Sequence, residues 1–237
     1  MTSRLCKKTQ RFYWQLKEFA IERLSIAVRK LKRYTFRYEK FSKNPFGLKA
    51  LPYPVKWDKL QPYEKLFVEI GTGHGELISH LSSSFPNRLF IGFEIISKFA
   101  KMSSKRVENR QNALVFKAEA YGEIPLLFSN NSIDCINILF PDPWHKKRHH
   151  KRRPINANFF NNVKSRLKLG GTIFVATDWE EYFEYICDEA SKVSDLYAIE
   201  KGIYTPEKFG FPVTHYYKKW QGTGRKFQFI ELSSLNK

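Results

Sequence analysis

Asp142 stands between two prolines in the run Phe140-Pro141-Asp142-Pro143-Trp144-His145. The apolar residues from Ile133 to Phe140 lead into it and read as a buried strand. Pro141 and Pro143 stop that strand and fix the backbone on either side of the carboxylate. Lys146-Lys147-Arg148-His149-His150-Lys151-Arg152-Arg153 follows at once. A fixed carboxylate at a strand end, beside cations that can hold phosphates, suits chemistry on a nucleic-acid base. The same residues also fit a proline turn followed by a solvated charge run, so the rest of the chain has to decide.

A second group of chemically useful residues lies upstream. Leu66 to Ile70 has a buried-strand pattern, Gly71-Thr72-Gly73-His74-Gly75 follows it, and Leu77, Ile78 and Leu81 mark one helix face. Strand, glycine turn and helix open a nucleotide-binding α/β unit, in which glycine lets backbone approach a ligand where a Cβ would clash. The third glycine comes one residue too early for the dinucleotide pattern, and no Walker lysine is present. Glu69 precedes the turn. Glu94 ends the next strand, about twenty residues after the turn, where an acid can accept ribose hydroxyls.

The elements that must carry these residues alternate between strand and helix. Leu89 to Ile95 and Leu114 to Phe116 are the second and third strands, the latter ending near Glu119. Ile96, Phe99, Ala100, Ser103 and Val107 give the helical face between them. After the fourth strand, Phe159, Phe160, Val163 and Leu167 mark a helix that Gly170-Gly171 is expected to stop. Thr172 to Ala176 is a fifth strand delivering Thr177-Asp178, with Asp178 placed to cap the next helix. Phe227 to Leu232 reads as a final antiparallel strand. This order predicts an α/β fold with a mostly parallel, doubly wound sheet.

Residues 1–45 differ in character. They are rich in Lys and Arg, and Phe12, Leu16, Phe19, Ala20, Leu24, Ala27, Leu31 and Tyr34 recur at helical spacing. A basic, helical N-terminal arm is expected there, lying on nucleic acid or packed on the main domain, and residues 46–237 are expected to form that domain.

The whole chain of 237 residues carries 41 Lys and Arg against 23 acids, a net charge of +18. Such a balance implies a polyanionic partner: RNA, DNA or an anionic membrane surface. No apolar run reaches membrane-spanning length, and neither a signal peptide nor a lipidation motif is evident. Cys6, Cys135 and Cys187 are scattered, which argues against a disulfide framework or a zinc site and fits a reducing cytoplasm. His145 and His149 share helical spacing but have no Cys or acid at ligand spacing, so no metal is expected. Trp144 can stack on a base or anchor its loop; Tyr216, Tyr217 and Trp220 can stack on RNA or close the core.

The glycine turn with Glu69 before it resembles motif I of the Rossmann-like methyltransferases that use S-adenosylmethionine (SAM). The Phe-Pro-Asp-Pro-Trp-His run with Lys146, Arg148, His149 and Lys151-Arg152-Arg153, the Thr177-Asp178 pair and the segment from Thr214 resemble, more specifically, the bacterial tRNA (guanine-N7)-methyltransferases. The resemblance covers about residues 60 to 232 and implies methyl transfer from SAM to N7 of the guanine in the tRNA variable loop, position 46 in tRNA numbering. It implies SAM contacts from Glu69, Gly71, Gly73, Glu94, Glu119 and Asp142, with Asp142 also catalytic. It places Lys146, Asp178, Thr214 and the position of Tyr217 at the substrate. Tyr217 departs from the family, which has Glu there. A monomer or homodimer without an obligate protein partner is expected. Alternatives from other classes are a SAM-dependent methyltransferase of another RNA or of protein, and a non-catalytic RNA-binding module.

Guanine N7 has an in-plane lone pair and no proton, so no base is needed before transfer. The site must align N7, place negative charge near the forming cation and exclude water. Because N7 lies in the deep, narrow A-form major groove, a loop or flipped guanine is expected.

Overall fold

The computed structural model describes residues 63–235. The arm expected over 1–45 lies outside the described residues. β1 (Lys65–Ile70) leads through the glycine turn into α1 (Glu76–Ser84), and β2 (Arg88–Glu94) into α2 (Ser97–Arg106). β3 (Ala113–Lys117), α3 (Ile124–Leu127) and β4 (Ile133–Leu139) follow, then a 3-10 turn over Lys147–Arg152. The remainder is α4 (Ala157–Lys164), β5 (Leu167–Thr177), α5 (Glu180–Ser191), β6 (Leu196–Ile203), a second 3-10 turn (Glu207–Phe209), α6 (His215–Trp220) and β7 (Gln228–Ser234).

These strands make one seven-stranded sheet in the order β3-β2-β1-β4-β5-β7-β6. β3, β2, β1, β4 and β5 run parallel, and β7 joins antiparallel between β5 and β6. The central strands are apolar on both faces: Val68, Ile91, Val115, Ile136 and Ile173 are fully buried, as expected when helices cover both sides of a parallel sheet. α1 packs beside α2, and α4 beside α5. Right-handed crossovers put these pairs on opposite faces, because the chain steps outward from the centre in opposite directions. The reversal falls between β1 and β4, and the crevice at the carboxyl ends of such neighbours is where open α/β sheets bind ligands.

Two expectations are corrected here. Gly170-Gly171 does not stop a helix. α4 ends at Lys164, and Leu167 already pairs with Ile133 as the first residue of β5. The glycines lie inside the strand, where Gly170 has φ +72° and a Cβ on Gly171 would sit 2.9 Å from the carbonyl of Lys168. They form a bulge, marked by a register shift between Ile133 and Cys135. Ile96 does not face the core. It precedes α2 and is exposed at the sheet's carboxyl edge.

Candidate active site

The glycine turn is pinned to β2. The N–H groups of Gly71 and Thr72 both donate to the carbonyl of Phe93, at 2.8 and 3.1 Å. A Cβ on Gly75 would lie 2.7 Å from Ser103, so this glycine lets α1 start against α2. Gly71 and Gly73 also have positive φ, but beyond them is open space, with nothing within 4 Å of an added Cβ. Glu94 closes the turn: its Oε2 accepts from the N–H of Gly73 at 2.9 Å and its Oε1 from that of Ile96 at 2.8 Å. Each oxygen keeps a lone pair for a ligand hydroxyl. Glu119 accepts the N–H groups of Tyr121 and Gly122 and so shapes the loop after β3.

Glu69 is different. It is buried, and its Oε2 has no hydrogen-bond partner. Burial pushes its carboxyl well above the usual carboxylate range; the backbone at Ile78 opposes the shift, and the charges of Glu76 and Glu94 add to it. A buried carboxyl with one unpartnered oxygen, beside an open glycine cradle, can receive a cationic ligand group.

The segment after β4 is held in an unusual backbone. Phe140 and Trp144 both have positive φ, at 54° and 50°, on either side of Pro141-Asp142-Pro143. Side chains of this size rarely adopt such angles, and strain of this kind persists only where the surroundings enforce it. Phe140 donates its N–H to Ala176 at 2.8 Å, and its ring lies flat on Tyr216, centroids 4.9 Å apart. Asp142 Oδ1 accepts the N–H of Trp144 at 2.9 Å, and the residue is exposed and lines the cavity. Trp144 anchors its loop, with Arg152 over its ring and His149 at its edge.

Arg153 is corrected from its expected place among phosphate-holding cations. It is 2% exposed. Its Nε donates to the carbonyl of Pro143 at 2.9 Å, its Nη1 to Glu181 at 2.9 Å, and its guanidinium lies over Tyr182 and Tyr185. Lys146, Lys147, Arg148, Lys151 and Arg152 remain exposed.

Asp178 does not cap α5, whose N-cap position is Trp179 and which has no side-chain cap. Its buried carboxylate pairs with Arg225 and accepts the hydroxyl of Tyr216 at 3.2 Å. Burial and Asp178 push the Tyr216 phenol up to about 12, so it remains a donor. Arg225 also lies over Trp220, 3.7 Å from the ring centroid. Thr214 caps α6 by accepting the N–H of Tyr217 at 3.2 Å. That cap turns Tyr216 toward the cavity and Tyr217 away from it. Tyr217 packs on Phe227 and Tyr204 and does not line the cavity.

These segments enclose one cavity of about 850 Å³, at the upper end of small-molecule sites. Glu69, Gly71, Gly73, Glu94, Glu119, Asp142 and Thr214 all line it; Lys146, Asp178 and Tyr217 do not. His74 and His215 meet across it, stacked with centroids 4.4 Å apart, and join the glycine turn to α6. That pairing, Arg225 and the buried role of Arg153 carried no signal in the linear pattern. Among the described residues no His, Cys, Asp or Glu group is arranged to hold a metal.

The fold is shared with solved methyltransferases. The 16S rRNA methyltransferase KamB aligns with a TM-score of 0.54 at 13% identity, over 73% of this chain and 88% of that one. An antibiotic-related methyltransferase aligns at 0.52 and 21% identity, over 71% and 87%. Fold and site together define a Rossmann-like, SAM-dependent methyltransferase. Residues 63–230 match the family described as "Putative methyltransferase", and the chain belongs to that family. It is 35% identical over 163 residues to the tRNA (guanine-N(7)-)-methyltransferase of Marinobacter nauticus, covering 67% of this chain and 68% of that protein. It is 33% identical over 176 residues to the enzyme of the same name from Wolbachia pipientis wMel, covering 73% and 76%.

Proposed function

We infer that this protein transfers a methyl group from SAM to N7 of a guanine in tRNA, and that the guanine is the one in the variable loop. The observation that carries the chemistry is Asp142, an exposed residue whose carboxylate sits on a strained, proline-fixed turn in the cavity that also holds Glu69 and Glu94. The relatives named tRNA (guanine-N(7)-)-methyltransferase supply the substrate.

The residues fit SAM on their own geometry. Gly71 and Gly73 leave room for a ligand against the backbone, Glu94 offers oxygens to a ribose, and Glu69 offers a buried carboxyl to an ammonium. Glu119, in the loop after β3, also lines the cavity and would face the adenine. When bound, SAM supplies an electrophilic methyl on a cationic sulfur. Asp142 then contributes negative charge where the methylated ring becomes cationic, and its fixed backbone aligns the guanine. The walls formed by Phe140, Trp144 and Tyr216 exclude water. Asp178 acts through Tyr216 rather than directly, because Arg225 already neutralises it. Lys146 and the exposed cations after it hold phosphates. A tRNA substrate and the free thiols of Cys135 and Cys187 support a cytoplasmic location.

The reading is tested by offering labelled SAM with tRNA, ribosomal RNA or total protein as acceptor. Label in tRNA is expected. Label confined to ribosomal RNA or protein would keep the methyltransferase and replace its substrate.

A further inference from the structure

Helix α2 carries a charge stripe that neither the cavity nor the 3-10 turn accounts for. Within Ser97–Arg106, Lys98, Lys101, Lys105 and Arg106 are exposed, while Ala100, Ser103 and Ser104 are buried. At 3.6 residues per turn these cations and Met102 occupy nearly the whole outward face, over about 12 Å of axis. None of them forms an ion pair among the described residues, and no acid lies within the helix. An ordinary solvated helix face mixes signs, since like charges at i,i+3 and i,i+4 each cost a few tenths of a kcal/mol. Here Lys98 and Lys101 stand three apart, and Lys101 and Lys105 four apart. α5 is also one-signed, with acids only in EEYFEYICDEAS, but its charges are partnered: Lys192 pairs with Asp188 and Glu189, and Arg153 with Glu181, whereas the α2 cations have no such partner among the described residues.

The position of the stripe matters as much as its charge. α2 starts at the cavity: Ile95, Ile96 and Phe99 line its wall. The 3-10 turn starts from the other wall, formed by Trp144, His145 and Arg152. β2, which leads into α2, and β4, which leads into the 3-10 turn, flank β1 on opposite sides. Unpaired positive charge therefore borders the cavity on both sides, and a polyanion whose base enters it passes over both borders.

We propose that the outward face of α2 is a second phosphate-binding surface for the RNA substrate, separate from the basic segment after Asp142. The proposal rests on the tRNA reading above. Lys98, Lys101 and Lys105 are point charges on long stems, so the surface contributes affinity and orientation without reading sequence.

The test replaces Lys98, Lys101 and Lys105 together by Gln in the full chain, a residue of similar helix propensity. Binding of tRNA transcripts is then titrated across salt concentrations for the wild type, for this variant and for a Lys→Arg version of the same positions. Loss of three phosphate contacts should flatten the slope of log affinity against log salt by about 2 to 3. Affinity at low salt should fall roughly tenfold or more, with kcat at saturating tRNA unchanged. The Arg version should keep the wild-type slope. Removing like charges should leave Tm equal or slightly higher, so a binding loss cannot be put down to unfolding. A wild-type slope with an unchanged Gln variant would overturn the α2 surface and leave the tRNA reading intact. A flat, weak wild type would overturn the tRNA reading itself. Unchanged tRNA binding with lost binding to phosphatidylserine vesicles would assign the face to a membrane and end the proposal.

Discussion

Arg153 donates its Nε–H to the carbonyl of Pro143, 2.9 Å away, and so holds the residue next to Asp142 from inside the protein. Its other arm grips Glu181 in the first turn of α5, and the rings of Tyr182 and Tyr185 lie against the guanidinium. The last residue of a basic run is thus a buttress for the turn that carries the carboxylate. Burial of one partner and exposure of the other, 1% and 54% of the side chains, explains why Arg153 stays with Glu181 rather than turning out to solvent.

Glu181→Gln is expected to lower kcat by roughly 10- to 100-fold, the cost of small misplacements at a reacting centre. Affinity for tRNA should be unchanged, because an arginine that contacts no phosphate cannot alter it. Steady-state kinetics beside a tRNA titration separates the effects. Tighter tRNA binding with unchanged kcat would mean that Arg153 is a phosphate contact held in reserve.

If Glu69 meets the SAM ammonium as proposed, SAM binding is expected to depend on pH through its carboxyl. Burial raises its carboxyl in the free protein, so it still carries a proton where exposed carboxylates have lost theirs. An ammonium placed beside it favours the ionised form, so binding should release a proton and tighten as pH rises from the usual carboxylate range through the raised value. For folding the sign is opposite to that of a salt-bridged acid. Stability contributed by the neutral form is full below the unfolded value and is lost as pH rises through the folded one. Calorimetry in buffers of different ionisation enthalpy should detect proton release in the wild type and none in Glu69→Gln. Equal proton release in both would place the ionisation elsewhere.

The sequence was most legible where burial and punctuation agree. The parallel strands are continuous apolar runs, so β1 to β5 and the carboxyl-edge positions of Glu69, Glu94 and Asp142 followed from pattern alone. β6 was not legible: it is an edge strand, and Tyr197, Ile199 and Ile203 are exposed, so no face pattern marks it. Gly170-Gly171 misled because glycine serves helix ends and strand bulges alike. Asp178 reads locally as a cap. Its partners Tyr216 and Arg225 lie 38 and 47 residues further on, which no local rule reaches.

That distant pairing carries its own cost when broken. Asp178 has a side chain 4% exposed against 30% for Arg225. Arg225→Gln leaves a buried carboxylate without its cation and should destabilise the fold by about 3 kcal/mol or less, the lower end for pairs with an open partner. Tyr216→Phe removes only a hydroxyl donor while keeping the stack on Phe140, for about 1 kcal/mol. Urea unfolding should rank them in that order. The reverse ranking would show that the phenol, not the guanidinium, holds Asp178.

The glycines of the turn should separate by role. Gly75→Ala forces a Cβ to 2.7 Å from Ser103 at a positive φ and should cost about 2 kcal/mol or more. Gly71→Ala meets no atom within 4 Å and pays only for its φ, about 1–2 kcal/mol. Its larger effect should be on SAM affinity, because the new methyl enters the space a ligand needs. Thermal unfolding with and without SAM reads both. Equal SAM stabilisation of Gly71→Ala and wild type would mean that the ligand does not approach this backbone.

The central claim is methyl transfer to guanine N7 in tRNA, and the product's position tests it most directly. Unmodified tRNA transcripts are incubated with labelled SAM, and the RNA is then cleaved chemically at 7-methylguanine. Cleavage is expected at one guanine in the variable loop, absent when that guanine is replaced and absent with Asp142→Ala, which should still fold and bind tRNA. Label in tRNA that resists this cleavage, or full turnover by Asp142→Ala, would contradict the account.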